Sequence, residues 1–135
     1  MPECGTACFD NTDLAGENGA QALSEALKTN SALKTLDLNS NSIRDNGSLM
    51  LAEALKTNST LTTLNLYYHS IRDDGGLVLA EALKTNSKMK TLDLQKNTIR
   101  DNGAWALVEA LKINSTLANL NLWHNSIGDN GTWLL

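Results

Sequence analysis

The hydrophobic positions of this chain follow two rhythms that alternate from start to end. A step of 28 residues separates Leu36 from Leu64, and the same step leads on to Leu92 and Leu120. Around each of these leucines apolar and polar residues alternate, which predicts a short strand buried on one face. The following segment is rich in leucine and alanine at helical spacing. The pattern therefore predicts about four strand-helix units in succession.

Each unit reads LxxLxLxxNxIxDxGxxxLAEALKxNS, and several further columns keep the same step. Asp45 is predicted to cap the helix of its own unit, because a carboxylate at a helix start accepts hydrogen bonds from unpaired backbone N–H groups. Asn58 and Ser59 are predicted to end that helix and return the chain to the next strand. A single unit cannot bury its leucines, so stacked units must share one core.

This pattern resembles the leucine-rich repeat family, and specifically its ribonuclease-inhibitor-like subclass, which also forms the receptor ends of NLR-type immune sensors. The resemblance covers residues from about 14 to 135, and residues 1–13 are predicted to form an irregular N-terminal segment or partial cap. The fold that the resemblance implies is an α/β solenoid shaped as a horseshoe. Parallel strands would line its concave side, and helices would form its convex side.

One polar column of the repeat has a structural interpretation. In the family that the chain resembles, the asparagine of this column turns inward and its amide bonds to backbone groups of neighbouring coils, which predicts a structural ladder at Asn41, His69, Asn97 and Asn125. The imidazole of His69 can keep part of the ladder, since it donates at one nitrogen and accepts at the other. His124 lies two coils away, about 10 Å at one strand spacing per coil. We therefore predict no metal and no cofactor.

The residues between and just after the strand leucines vary from coil to coil, and they are predicted to face the concave solvent. Tyrosine and tryptophan at such positions combine a large apolar area with a polar group, as interface anchors do. The predicted protein-binding residues are Tyr67, Tyr68, Gln95, Lys96, Trp123 and His124, together with Asp37 and Asp93. The alternative is that these aromatic side chains merely cover the loop edge.

A second apolar row is predicted on the outer face of the helices. With Leu51 at the centre of the buried stripe, residue 49 lies about 160° away around the helix, on the exposed side. The same column contains Leu49, Leu77, Trp105 and Trp133. Exposed apolar rows often mark contact sites, so this row predicts a second interface or a self-association surface. Alternatively, neighbouring helices tilt enough to cover it.

Composition narrows the classes of function. The net charge is -4 and the lysines and arginines are dispersed, which argues against nucleic acid and anionic membranes as partners. No nucleophile with a base, no carboxylate pair and no metal constellation can be assembled, so an enzyme is not predicted. The leading hypothesis is a non-catalytic module that binds a protein through its concave strand face and ascending loops.

Two other functions stay open at this point. Ran GTPase-activating proteins resemble this repeat type as well, and the column Arg44, Arg72 and Arg100 would lie on a rim that suits such a regulator or an anionic contact. The third hypothesis is a structural fragment of a longer repeat receptor or scaffold. It is favoured by the C-terminal Trp133, Leu134 and Leu135, which end the last unit inside a helix and would otherwise be buried by another copy of the chain.

The N-terminal segment helps to predict the cellular compartment of the protein. It has no basic start and no apolar run typical of a secretory signal, and no stretch of the chain reaches transmembrane length. We therefore expect a cytoplasmic protein in which Cys4 and Cys8 stay reduced.

Overall fold

The structure is a computed structural model that describes residues 5–9 and 17–128. Strands and helices alternate strictly in the described part of the chain. Their bounds are β1 Thr6–Cys8, α1 Glu17–Thr29, β2 Thr35–Asp37, α2 Arg44–Thr57, β3 Thr63–Asn65, α3 Asp73–Thr85, β4 Thr91–Asp93, α4 Asp101–Leu111 and β5 Asn119–Asn121. The predicted α/β leucine-rich repeat solenoid is confirmed, with the strands in one layer and the helices in the other.

The five strands form one parallel sheet in chain order, and each pairs with its neighbours in sequence. From β2 onward the register follows the 28-residue step, so that Leu36 is opposite Leu64 and Leu64 opposite Leu92. At the start of the sheet the step is 29 residues, because Ala7 pairs with Leu36. A strict step of 28 residues would place Cys8 and Asp10 at the positions that leucines occupy in the later strands. The chain instead shifts by one residue and continues the sheet with a smaller apolar side chain.

The core lies between the sheet and the helices. Strand leucines point inward at every second position, as Leu64 and Leu66 show, and both are fully buried. Leu79 and Leu83 of α3 meet them from the helix layer and are at most 1% exposed. Each coil repeats this set of buried leucines, so the stacked coils share one continuous core. Burying one leucine side chain stabilises a fold by about 2 kcal/mol.

The aspartate column does not act as predicted. Asp45 lies inside the first turn of α2 and makes no cap hydrogen bond to its own helix start. Its Oδ1 accepts instead from the backbone N–H groups of Arg72, at 2.7 Å, and Gly75, at 3.1 Å, in the next coil. Asp73 does the same for Arg100 and Gly103. Each aspartate therefore caps the helix of the following coil and joins the two coils.

Glycine is required where these carboxylates approach the next helix. A Cβ atom at Gly75 would lie 2.7 Å from the Asp45 carboxylate oxygen and 2.5 Å from Ile71. At Gly103 it would lie 2.8 Å from the carboxylate of Asp73. The glycine column of the repeat thus leaves room for the cap that ties neighbouring coils together.

Some predictions fall outside the described residues. They concern Cys4, Trp133, Leu134, Leu135 and most of the segment 1–13. Within residues 5–9 and 17–128, no helix is long and apolar enough to cross a membrane. In the same part of the chain, no three His, Cys, Asp or Glu side chains are placed to hold a metal ion together.

Candidate functional site

The structural ladder, which we now call the inward column, follows the strands and consists of Asn41, His69, Asn97 and Asn125. Asn97 is 5% exposed, and its Oδ1 accepts from the backbone N–H groups of His69 and Ile71, each at 3.0 Å. Its Nδ2 donates to the carbonyls of Leu66 and Leu94, both at 2.9 Å. One amide therefore pairs buried backbone groups of two coils, and the Leu94 carbonyl also accepts from Asn125 Nδ2 at 2.8 Å.

His69 replaces this asparagine in one coil and makes fewer hydrogen bonds. Its Nδ1 accepts from the backbone N–H of Ile43 at 3.1 Å. Its Nε2 is buried and forms no hydrogen bond among the described residues, although the Leu38 backbone lies near the imidazole. Burial of the imidazole lowers the pKa of His69 from 6.5 to about 4, because the charged form would lose its hydration. The ring is therefore neutral at physiological pH.

A second column, the outward column, consists of the residues that lie one position before each member of the inward column. Its members share a backbone in the left-handed region, with φ between 55° and 62°, although none is glycine: Ser40, Tyr68, Lys96 and His124. This conformation costs an L-residue about 1 kcal/mol or more. It turns the side chain away from the core, and Tyr68 is 61% exposed although the adjacent His69 is fully buried.

Tyr67, Tyr68 and Lys96 form one cluster on this surface. The two tyrosine ring centroids are 6.3 Å apart, and the Lys96 Nζ lies 5.3 Å from the Tyr67 centroid. This is the distance of a cation-π contact. Hydrogen bonding to the Tyr67 side chain raises the pKa of Lys96. The cluster presents an apolar surface with one positive charge.

A second cluster lies on the last described coil. Trp123 is 69% exposed, and its ring centroid is 4.8 Å from that of His124. Between the two clusters, the side-chain amide of Asn121 donates to the Gln95 oxygen at 3.2 Å. Since β3, β4 and β5 are successive strands, the two clusters stand on neighbouring coils. We call the six residues Tyr67, Tyr68, Gln95, Lys96, Trp123 and His124 the concave patch.

Asp37 and Asp93 were grouped with the concave patch, and the structure shows that both take part in the turn after the strand. Asp37 Oδ1 accepts from the backbone N–H of Asn39 at 3.0 Å, and Asp93 Oδ1 accepts from Gln95 at 2.9 Å. Both residues are half-buried. One carboxylate oxygen of each residue therefore holds the backbone turn that follows its strand.

The row on the outer helix face is exposed in the described coils. The exposed fractions are 44% for Leu49, 42% for Leu77 and 54% for Trp105. Neighbouring helices therefore do not cover these side chains. The fourth member, Trp133, lies outside the described residues. We call Leu49, Leu77 and Trp105 the convex row.

The arginine column lies along the rim at which the helices begin. Arg44, Arg72 and Arg100 are exposed, and none forms an ion pair within the described ranges. The adjacent aspartates do not neutralise them through direct contact, because their carboxylates bind backbone N–H groups. Two clefts of about 570 and 550 Å³ open beside Arg72.

Two structural columns were missed by the sequence analysis. One is the set of aspartates that cap the following coil. The other is Asn58, Asn86 and Asn114, whose Nδ2 atoms donate to the carbonyls of Leu27, Leu55 and Leu83 in the preceding coil. The recurrence of the sequence KTNS, which reads KINS at residues 112–115, was the available signal, and it was interpreted only as a helix stop.

The geometry defines the class of the protein as a repeat solenoid with a variable, exposed strand face. Comparison with known families agrees, because the family model described as Leucine Rich repeat matches residues 29–52, 57–80 and 85–108, more than half of the chain. The chain belongs to the leucine-rich repeat family.

A search of solved structures adds one informative neighbour. The chain is similar to the structure of leiomodin-1 actin-binding site 2 (ABS2), with a TM-score of 0.79 and 26% sequence identity. The match covers 90% of this chain and 71% of that one. No curated protein sequence is significantly similar to the chain.

Proposed function

We propose that the chain is a non-catalytic protein-binding module and that the concave patch is its contact surface. The observation that carries this proposal is the outward column, in which Tyr68, Lys96 and His124 occupy a left-handed backbone conformation. Glycine would adopt that conformation without strain. Large side chains kept in a strained position are typical of functional sites, where the strain is offset by the rest of the fold.

The chemistry of the patch supports the same proposal. Tyr68 and Trp123 are more than half exposed, in a chain whose aromatic content is only 4%. Tyrosine and tryptophan are enriched among the residues that dominate binding energies. The rigid sheet beneath them reduces the entropy lost when a partner binds. We also propose that the repeats are of the ribonuclease-inhibitor-like type, on the basis of their helix-bearing 28-residue units.

Actin is the first partner to test, because the leiomodin-1 structure that the chain resembles is an actin-binding site. The experiment measures the affinity of the chain for fluorescently labelled monomeric actin by thermophoresis. The double variant Tyr68→Ala/Trp123→Ala is expected to bind at least about tenfold more weakly than the wild type, since interface anchors of this kind contribute 1 to 4 kcal/mol each.

Trp105→Ala is the matched control, because its indole is 54% exposed but belongs to the convex row. It should leave the affinity within about twofold of the wild type. Unchanged binding by the double variant, together with weaker binding by Trp105→Ala, would locate the interface on the helices instead. Absence of actin binding by the wild type would exclude actin as the partner.

A second function, self-association through the convex row, is favoured by the exposure of its three apolar side chains. We expect a dimer whose population rises with protein concentration in light scattering. In that dimer the emission of Trp105 should shift to shorter wavelength. The variant Leu49→Ser/Leu77→Ser should be monomeric at the same concentrations, and a wild type that is monomeric throughout would rule this function out.

A further inference from the structure

A cleft at the edge where the strands begin differs from the rest of the surface. It has a volume of about 460 Å³ and is lined by the segments that precede four successive strands, β2 to β5. Its charged lining consists of Lys34, Lys88 and Lys90, and its other lining residues all carry hydroxyl groups, including Ser59 and Ser87. No carboxylate among the described residues lines it. We call this surface the lysine edge.

The three lysines differ from those on the helices. Lys28, Lys56, Lys84 and Lys112 each pair with a glutamate three residues earlier, at N–O distances of 2.7 to 3.2 Å. Lys34, Lys88 and Lys90 are exposed and form no ion pair within residues 5–9 and 17–128. The lysine edge is therefore a local positive surface on a chain whose net charge is -4.

The backbone at this edge is already paired. The Lys90 N–H donates to the Thr62 carbonyl at 2.8 Å, and the Ala118 N–H donates to the Lys90 carbonyl at 2.9 Å. A ligand would therefore be recognised by side chains rather than by strand pairing. Ammonium groups and hydroxyls are both hydrogen-bond donors, and carboxylates accept from both.

The spacing of the lysines fits an extended chain. Lys34 directly precedes β2 and Lys90 directly precedes β4, so the two residues are two strand spacings apart, about 10 Å. A peptide in the extended polyproline II conformation advances about 3.1 Å per residue with three residues per turn, so acidic side chains three residues apart lie on one face and about 9 Å apart. Lys88 adds a third positive charge on the coil of Lys90.

We propose that the lysine edge binds an extended peptide segment rich in aspartate and glutamate, supplied by a partner protein, as a second contact surface separate from the concave patch. Nucleic acid is disfavoured as the ligand, because the cleft has no arginine and no aromatic side chain for base stacking.

The test uses fluorescence anisotropy of a fluorescein-labelled oligoglutamate peptide at low ionic strength. The triple variant Lys34→Gln/Lys88→Gln/Lys90→Gln is expected to lose about tenfold or more in affinity, because three charge contacts are removed together. Added salt should weaken the wild-type complex, since these contacts are exposed to solvent. Circular dichroism confirms that each variant is folded.

Two control variants locate the site. Lys28→Gln/Lys56→Gln/Lys84→Gln changes the net charge equally but at the helix face, and it should bind within about twofold of the wild type. Tyr68→Ala/Trp123→Ala should also retain the peptide, which separates this proposal from the concave patch. Loss of binding in either control, or retention in the lysine-edge variant, would overturn the proposal.

Two further outcomes also decide the matter. If the wild type does not bind the peptide, the lysine edge is not an acidic-peptide site. If an oligothymidylate of equal charge binds more tightly than the peptide, the ligand is a nucleic acid and the assignment to a protein segment is wrong.

Discussion

Tyr68 and His69 are adjacent in the chain and occupy opposite environments. Tyr68 is 61% exposed on the concave patch, whereas His69 is fully buried in the inward column. The same contrast recurs at Lys96 and Asn97 in the next coil. Two adjacent positions of the repeat therefore differ. At the first position the side chain is free to vary, and at the second it must form hydrogen bonds with backbone groups of two coils.

The comparison shows how one solenoid can combine a uniform frame with a specific surface. A substitution in the inward column removes hydrogen bonds from buried groups, and its effect should appear in stability. A substitution in the outward column removes contact area from the surface, and its effect should appear in binding. Stability measurements on variants of the two columns test this separation between stability and binding.

Asn97→Ala should have the largest effect on stability. It leaves the backbone N–H groups of His69 and Ile71 and the carbonyl of Leu66 without their Asn97 partner, whereas the Leu94 carbonyl still accepts from Asn125. We expect the free energy of unfolding to fall by about 4 kcal/mol, measured by urea denaturation. Lys96→Ala, one residue earlier, should change it by less than about 0.5 kcal/mol. Equal losses in the two variants would contradict the comparison.

Acid should destabilise the chain through His69. Because burial lowers the pKa of His69 to about 4 in the folded state, against 6.5 in the unfolded state, the unfolded chain binds the proton more tightly. The stabilisation is fully present above pH 6.5 and is lost as the pH falls from 6.5 to 4. The loss should reach about 3 kcal/mol, at 1.36 kcal/mol per pKa unit. Urea denaturation of the wild type and of His69→Asn measures the free energy of unfolding between pH 4 and pH 6.5. The same pH dependence in both proteins would refute the prediction.

His69→Asn should itself raise stability at neutral pH. The substitution returns the column to asparagine, whose Nδ2 can donate to the Leu38 carbonyl as Asn97 does to Leu66. This hydrogen bond, added to the one that the carbonyl already accepts from Asn41 Nδ2 at 2.7 Å, should contribute about 1 kcal/mol. The melting temperature at pH 7.5 reports the change. A lower melting temperature would show that the packing of the imidazole stabilises this coil more than the hydrogen bonds of the amide.

Tyr68→Gly should have the smallest effect on stability and should leave it unchanged or raise it by about 0.5 kcal/mol. Glycine relieves the strain of φ 61° at this position, and this gain exceeds its entropic cost. Gln95→Gly is the control, because Gln95 does not have a positive φ, and it should lose about 1 kcal/mol. Chemical denaturation of the two variants compares them, and a larger loss for Tyr68→Gly would contradict the assignment of strain.

The repeat determined most of the architecture without reference to any structure. The 28-residue step placed the strands at Leu36, Leu64 and Leu92 and the helices between them, because each coil of a solenoid contacts only its neighbours. The period of the pattern was therefore sufficient to order the sheet. The variable columns could also be identified, since the positions that the core does not constrain are those where residues differ between coils.

The tertiary structure decided what reaches from one coil to the next. Asp45 was predicted to cap its own helix and instead caps the helix of the following coil, because stacking brings the next backbone closer to its carboxylate. The unpaired Nε2 of His69 and the left-handed backbone of Tyr68 likewise depend on how two coils meet. The sequence by itself determined the period and the buried face, since these follow from local spacing. Only the stacked coils decided which polar groups pair and how the patch is presented, because those contacts join residues about 27 to 31 positions apart.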